Sequence, residues 1–136
     1  MAKLKKKNFI YAVGRRKTAS ARIRLFKGKG ETTVNGMPIE KYFVGRELKH
    51  IWERPFLVTE TSEKYYATIK VYGGGKIGQA EASAHGVSRA LSEANKDIFK
   101  PLLRKAGLLT RDDRIRERRK VGMGGKARRK KQSPKR

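Results

Sequence analysis

Residues 111 to 136 hold thirteen lysines and arginines against three acids, with no aromatic residue and only Ile115, Val121, Met123 and Ala127 as scattered apolar groups. A segment with so little to bury cannot offset the entropy of ordering itself, so any core must come from the first 110 residues. The expected organisation is a globular body over 1–110 and an extended basic tail over 111–136, disordered when free and ordered only on a polyanion. Fully extended, the last sixteen residues would reach about 53 Å at roughly 3.3 Å each.

The remaining charge is also uneven. Residues 1–30 carry eleven cations and no acid, residues 31–110 carry twelve and nine, and the whole 136-residue chain has a formal net charge of +24. Solubility alone asks for a net magnitude of only about 2 to 8 in a small domain. A nearly balanced middle with cationic ends points to nucleic acid as the partner. The lack of cysteine excludes disulfides, thiolate metal sites and cysteine nucleophiles. No stretch approaches the roughly 18 apolar residues of a membrane span, and the N-terminus meets Lys and Arg before an apolar signal region develops. A cytoplasmic chain with no membrane partner is expected.

Within the body, Ala19, Ala21, Ile23 and Leu25 alternate with Ser20, Arg22, Arg24 and Phe26, the period of a half-buried strand with one mostly basic face. Extended structure from Phe9 to Phe26 is expected to break at Gly14 to Lys17. Lys27 to Gly30 reads as a turn, Glu31 to Val34 as a strand returning in an antiparallel hairpin, and Asn35-Gly36 as a second turn. Pro38 can open a short helix ended by Gly45, and Leu48, Ile51 and Trp52 mark a second helix stopped at Arg54-Pro55. Trp52 is expected in the core. Lys64 to Tyr72 alternates again and is read as a central strand. In the helix that follows, Ala80, Ala84, Val87 and Leu91 form a small-residue stripe that can lie close on a sheet, with Gly86 kept for backbone approach. Asp97 is expected to cap a last helix through Leu103, with Pro101 in its first turn and Gly107 as its stop.

Gly73, Gly75 and Gly78 formally match G-x-G-x-x-G, but Asp97, at the spacing of a ribose-binding acid, opens a helix rather than ending a strand. A Walker reading fails at Gln79 and Ala80, where a phosphate-binding Lys and a magnesium-binding hydroxyl would stand. Two readings of Gly73, Gly74, Gly75 and Lys76 stay open: a backbone cradle for an RNA phosphate at a helix N-terminus, or a tight turn whose glycines only satisfy unusual φ angles. His50 and His85, 35 residues apart, offer no metal-ligand spacing, and no nucleophile has a partnered base. No enzyme, cofactor, metal or small-molecule substrate is expected. Arg15, Arg16, Lys17, Arg22 and Arg24 around the first turn suit a phosphate backbone, as do the tail cations spaced by glycines. The few aromatics, 8% of residues, occupy mostly core-like positions, so no stacking platform for single strands is expected.

Taken together, YAVGRRKTASARIRL, VNGMPIEKYF, VYGGGKIGQAEASAHGVSRAL, LLRKAGLLTRDDRIRERRKVG and the terminal SPKR resemble the bacterial form of the family of the ninth protein of the small ribosomal subunit. The likeness covers nearly the whole chain. The resemblance implies a single two-layer α+β domain, with a four-stranded mixed sheet backed by helices, a left-handed βαβ crossover and a long basic C-terminal extension. It also implies binding to the rRNA of the subunit head beside neighbouring head proteins, and a tail reaching the tRNA of the peptidyl site. By position, Lys135 and Arg136 would contact that tRNA. Arg89 on the body and Arg118, Arg119, Lys120, Lys126, Arg128, Arg129 and Lys130 in the tail would hold rRNA. Ala84 departs from the family's pattern, which usually has Arg there. Two rival readings remain: a general polyanion binder outside the ribosome, and a small-molecule kinase motivated only by the Gly73 to Gly78 loop.

Overall fold

A computed structural model describes residues 8–118, 120 and 121. In chain order the elements are β1 (Ile10–Arg16), β2 (Ala19–Lys27), β3 (Thr33–Val34), β4 (Met37–Pro38), α1 (Ile39–Tyr42), α2 (Arg46–Thr59), β5 (Tyr65–Tyr72), α3 (Lys76–Ala94) and α4 (Phe99–Lys105). The strands form one mixed sheet in the order β1-β2-β5-β3-β4. It has five strands rather than four, because the Asn35-Gly36 turn folds the two-residue β4 back on β3.

Alternation decides which face is covered. Ala19, Ala21, Ile23 and Leu25 of β2 and Ala67, Ile69 and Val71 of β5 are all buried, with Ala12 of β1 beside them. They meet Ala80, Ala82, Val87, Ala90 and Leu91 of α3 in one core, which Trp52 and Phe56 of α2 and Leu103 of α4 complete. Each fully buried Ile or Leu contributes roughly 1.5–3 kcal/mol. Helix α3 lies across β1, β2 and β5, with α2 and α4 packed on it. The opposite sheet face, carrying Arg22, Arg24 and Lys70, is open.

The small residues of α3 allow a very close approach to β1. A Cβ on Gly14 would fall on the backbone of α3, against the Ala82 carbonyl oxygen and the Gly86 nitrogen, and 2.8 Å from Gly86 Cα. Gly86 is therefore a close-approach residue, as expected, and Gly14 is its partner rather than a strand break. The β1 strand runs through Gly14 to Arg16, and the chain reverses at Lys17-Thr18.

Three further expectations are corrected. Residues Glu31 to Val34 do not form a hairpin with β2; β3 is parallel to β5, which inserts between them. The β5 strand offers β2 an eight-pair ladder from Ser20 to Lys27, which a two-residue strand cannot match. Helix α2 does not stop at Pro55 but continues to Thr59. Proline there forfeits a backbone donor, yet the extra turn buries Pro55, Phe56 and Thr59, and the Thr59 hydroxyl donates to the Pro55 carbonyl at 2.8 Å. Asp97 is not the cap of α4. Asn95 ends α3 and accepts from the Ile98 N–H through its side chain and from the Phe99 N–H through its carbonyl, which ties the two helices at one residue. Pro101 does lie in the first turn of α4, and after Gly107 the Leu108 N–H returns to the Leu103 carbonyl.

Candidate nucleic-acid interface

Three strands supply the open face: β1, β2 and β5 contain no acidic residue. Pairing sets Tyr11 beside Arg24 and Arg24 beside Thr68, and in the next row Arg22 faces Lys70 directly. Like charges opposite one another on a sheet destabilise it unless an anion lies between them. Among the described residues no carboxylate comes within 4.0 Å of Arg22, Arg24 or Lys70. Tyr11, Arg22, Arg24, Thr68 and Lys70 line a shallow concavity of about 210 Å³ on this face.

A second basic zone wraps the β1 edge. Arg15, Arg16 and Arg54 line an open groove of about 460 Å³ between β1, α2 and α3, together with His50, Ala84 and His85 and with the acids Glu81 and Asp112 that Arg16 engages. Burial is the main cause that lowers the pKa of His85, with Arg89 and Arg111 adding to it against a hydrogen bond to the Leu109 carbonyl. Arg89 reaches the same edge and donates to the Val13 carbonyl at 2.7 Å, a tether of α3 to β1.

Arg16 differs from its neighbours. Its side chain is only 12% exposed and donates to Glu81 Oε2 at 2.6 Å, stands 3.4 Å from Asp112 and donates to the Arg114 carbonyl at 2.6 Å. It is spent inside the protein, where it fixes the start of the segment after α4 to the body. The Arg114 side chain and backbone N–H, with Arg16, hold the Asp112 carboxyl well below the usual carboxylate range. Lys17 and Thr18 flank this root with Arg114, Ile115 and Arg116 around an open hollow. Replacing Arg16 by leucine is expected to cost about 1–2 kcal/mol, since Glu81 and Asp112 are partly solvated and lose one partner. A lowered urea midpoint, with faster amide exchange over residues 112–114, would show it; an unchanged midpoint would contradict the anchoring role.

At the start of α3, Gly73 and Gly74 have φ of 76° and 64°, and a Cβ on Gly73 would stand 2.6 Å from the Thr18 carbonyl oxygen. The turn thus needs glycine for its own geometry. It also leaves α3, with Gly75 as its N-cap residue, without a side-chain cap or an acid in its first turn, so its first N–H groups face outward. Lys76 lies over the Tyr42 ring, 3.4 Å from the centroid. The Tyr42 hydroxyl donates to Gln79, whose amide donates to the Gly73 carbonyl, and Asn35 pairs with both backbone groups of Val71 just before the turn. These supports lie 36 and 37 residues apart in sequence and no local spacing announces them.

Of the residues expected to meet RNA, Arg15, Lys17, Arg22, Arg24, Gly73, Gly74, Gly75, Lys76, Arg89, Arg118 and Lys120 are exposed. Arg119, Lys126, Arg128, Arg129, Lys130, Lys135 and Arg136 lie outside the described residues. Among the described residues no group of His, Asp or Glu could hold a metal ion, and no helix is long and apolar enough to cross a membrane.

The family model described as ribosomal protein S9/S16 matches residues 14–136. The chain is 48% identical over 119 residues to the small ribosomal subunit protein uS9 of Maridesulfovibrio salexigens, covering 88% of this chain and 91% of that protein. It is 50% identical over 115 residues to the protein of the same name from Lawsonia intracellularis, covering 85% and 88%. For that of Dehalococcoides mccartyi the values are 45% over 120 residues, 88% and 90%.

Proposed function

This chain belongs to the ribosomal protein S9/S16 family and is a structural, non-enzymatic constituent of the small ribosomal subunit, and from that premise we propose that its body neutralises head rRNA while its tail reaches peptidyl-site tRNA. The observation that carries this reading is the acid-free sheet face, continuous in charge with the exposed Arg15 and Lys17. Such a surface binds by releasing counterions from phosphates that would otherwise repel one another. Arg15, Lys17, Arg22, Arg24 and Arg89 serve rRNA backbone there, and Lys76 with the Gly73–Gly75 turn offers the uncapped start of α3 to a phosphate. Arg16 contributes indirectly by setting the direction in which the tail leaves.

In the same reading, residues 111–136 form an extension whose cations, Arg118, Arg119, Lys120, Lys126, Arg128, Arg129 and Lys130 among them, lie along rRNA. The tail ends with Lys135 and Arg136 on tRNA. The segment from β3 to β5 crosses over with the left-handed sense implied by the resemblance. Neighbouring head proteins complete the surroundings, and the ribosome places the chain in the cytoplasm.

Deleting Lys135 and Arg136 tests the division of labour. Charge-assisted contacts contribute roughly 1.5–3 kcal/mol each, so loss of the pair is expected to speed tRNA dissociation from the peptidyl site about a hundredfold or more. Incorporation into subunits should stay at the level of the full chain. An unchanged dissociation rate would reject the tRNA contact, and failed incorporation would assign these residues to assembly instead.

A further inference from the structure

Two tyrosines stand on the open sheet face without a ring partner among the described residues. Tyr11 on β1 and Tyr72 on β5 are 48% and 66% exposed. The other aromatics of this face satisfy one another: Phe26 stacks on Tyr66 with ring centroids 5.2 Å apart, Phe9 tilts against Phe26, and Arg24 lies over Phe9. The pairing register puts Tyr11 in the row of Arg24 and Tyr72 in the row of Ser20, four residues farther along β2 and two strands away. At ordinary strand spacings their backbone positions on the sheet are about 16 Å apart. Arg22 and Lys70 stand in the row between them, directly opposite each other.

From this arrangement we infer that the open face binds unpaired RNA, with bases stacked on Tyr11 and Tyr72 and the intervening phosphates held by Arg22 and Lys70. The inference rests on the reading that the body meets rRNA, and it names the form of RNA bound. A duplex presents phosphates but keeps its base faces covered, so it could use the cations and not the rings. A single strand uses both. Sheet faces that carry exposed aromatics stack two or three bases in this way, and a ring is tolerant of base identity because every base has a π-face. The phosphate between the cations also relieves the repulsion of the Arg22–Lys70 pair, which no acid of the three strands screens.

The test uses the full chain and a single-stranded RNA of about ten nucleotides carrying 5-iodouridine, against a duplex of equal length. Irradiation should crosslink the single strand to Tyr11 and Tyr72. At a salt concentration high enough to weaken the tail's electrostatic binding, Tyr11→Leu and Tyr72→Leu should each weaken single-strand binding about tenfold. Duplex affinity should remain within about twofold, and Tyr→Phe at either position should restore single-strand binding, because the ring and not the hydroxyl is required. Crosslinks confined to other residues, or equal losses for both forms of RNA, would overturn the stacking site. The double variant Arg22→Ala with Lys70→Ala separates the two levels of the argument. If it weakens both RNAs while the tyrosine variants change neither, the cationic surface stands and the stacking site falls.

Discussion

Replacing Gly14 by alanine should remove at least about 3 kcal/mol of folding stability, a large part of the roughly 5–15 kcal/mol available to a domain of this kind. The added methyl has nowhere to go. Its neighbours are the Ala82 carbonyl oxygen and the Gly86 backbone, and main-chain atoms of a helix cannot rotate aside as a side chain would. Helix α3 would have to lift from β1, loosening its packing on Ala12, Ala21 and Ile23 at the same time. Gly86→Ala makes the comparison informative. There the closest atom is Ile23 Cγ1 at 2.5 Å, part of a buried side chain that must repack but carries no main-chain hydrogen bond, with Gly14 N at 3.0 Å. Alanine also recovers up to about 1 kcal/mol of helix propensity. The Gly86 variant should therefore lose less, and urea denaturation of both proteins should rank Gly14→Ala as clearly the worse. A loss under about 1 kcal/mol at Gly14 would contradict the close approach of β1 and α3.

The same glycine shows where sequence reasoning reaches and where it stops. Alternation in ASARIRLF and in YATIKV correctly separated the buried faces of β2 and β5, because a half-buried strand writes its environment into every second residue. The small-residue stripe of α3 likewise announced a tight contact. What it contacts was not legible, since Gly14 followed by three cations has the texture of a turn. Only the pairing of Gly14 with Ala21 shows that the strand continues. Pro55 misled for a related reason: a local breaker was overruled by the burial of the turn beyond it.

At the interface, the residue types were readable and their allegiance was not. Arg16 stands beside Arg15 in sequence and looks equally suited to phosphate. Strand parity sends the two to opposite faces, and the partners of Arg16 lie 65 and 98 residues away. The open-face tyrosines were missed although a signal existed. Tyr11 is out of phase with Ala12 and Gly14, and Tyr72 is in phase with Lys70, so both had to share the face of Arg22 and Arg24. A low aromatic total hid them, because composition does not say where a ring points.

Ending the chain after Arg118 should have the largest effect on RNA affinity. The residues removed carry nine cations and no acid, while Arg16 still holds the Asp112 and Arg114 root on the body. If all nine meet phosphates of unpaired or irregular RNA, the slope of log affinity against log salt should become shallower by about 6. Between 50 and 200 mM salt the full chain should then lose on the order of a thousandfold more affinity than the shortened one. Removing Lys135 and Arg136 alone should change the slope by only about 1.4. Affinity measured for the three proteins across that range, on one RNA from the subunit head, distinguishes counterion displacement from a tail that acts through a few fixed contacts. A slope left unchanged by the longer deletion would mean that the sheet face and the β1 edge carry the electrostatic binding. A slope falling in proportion to the cations removed would show the tail acting as distributed charge, with the folded body setting where that charge is delivered.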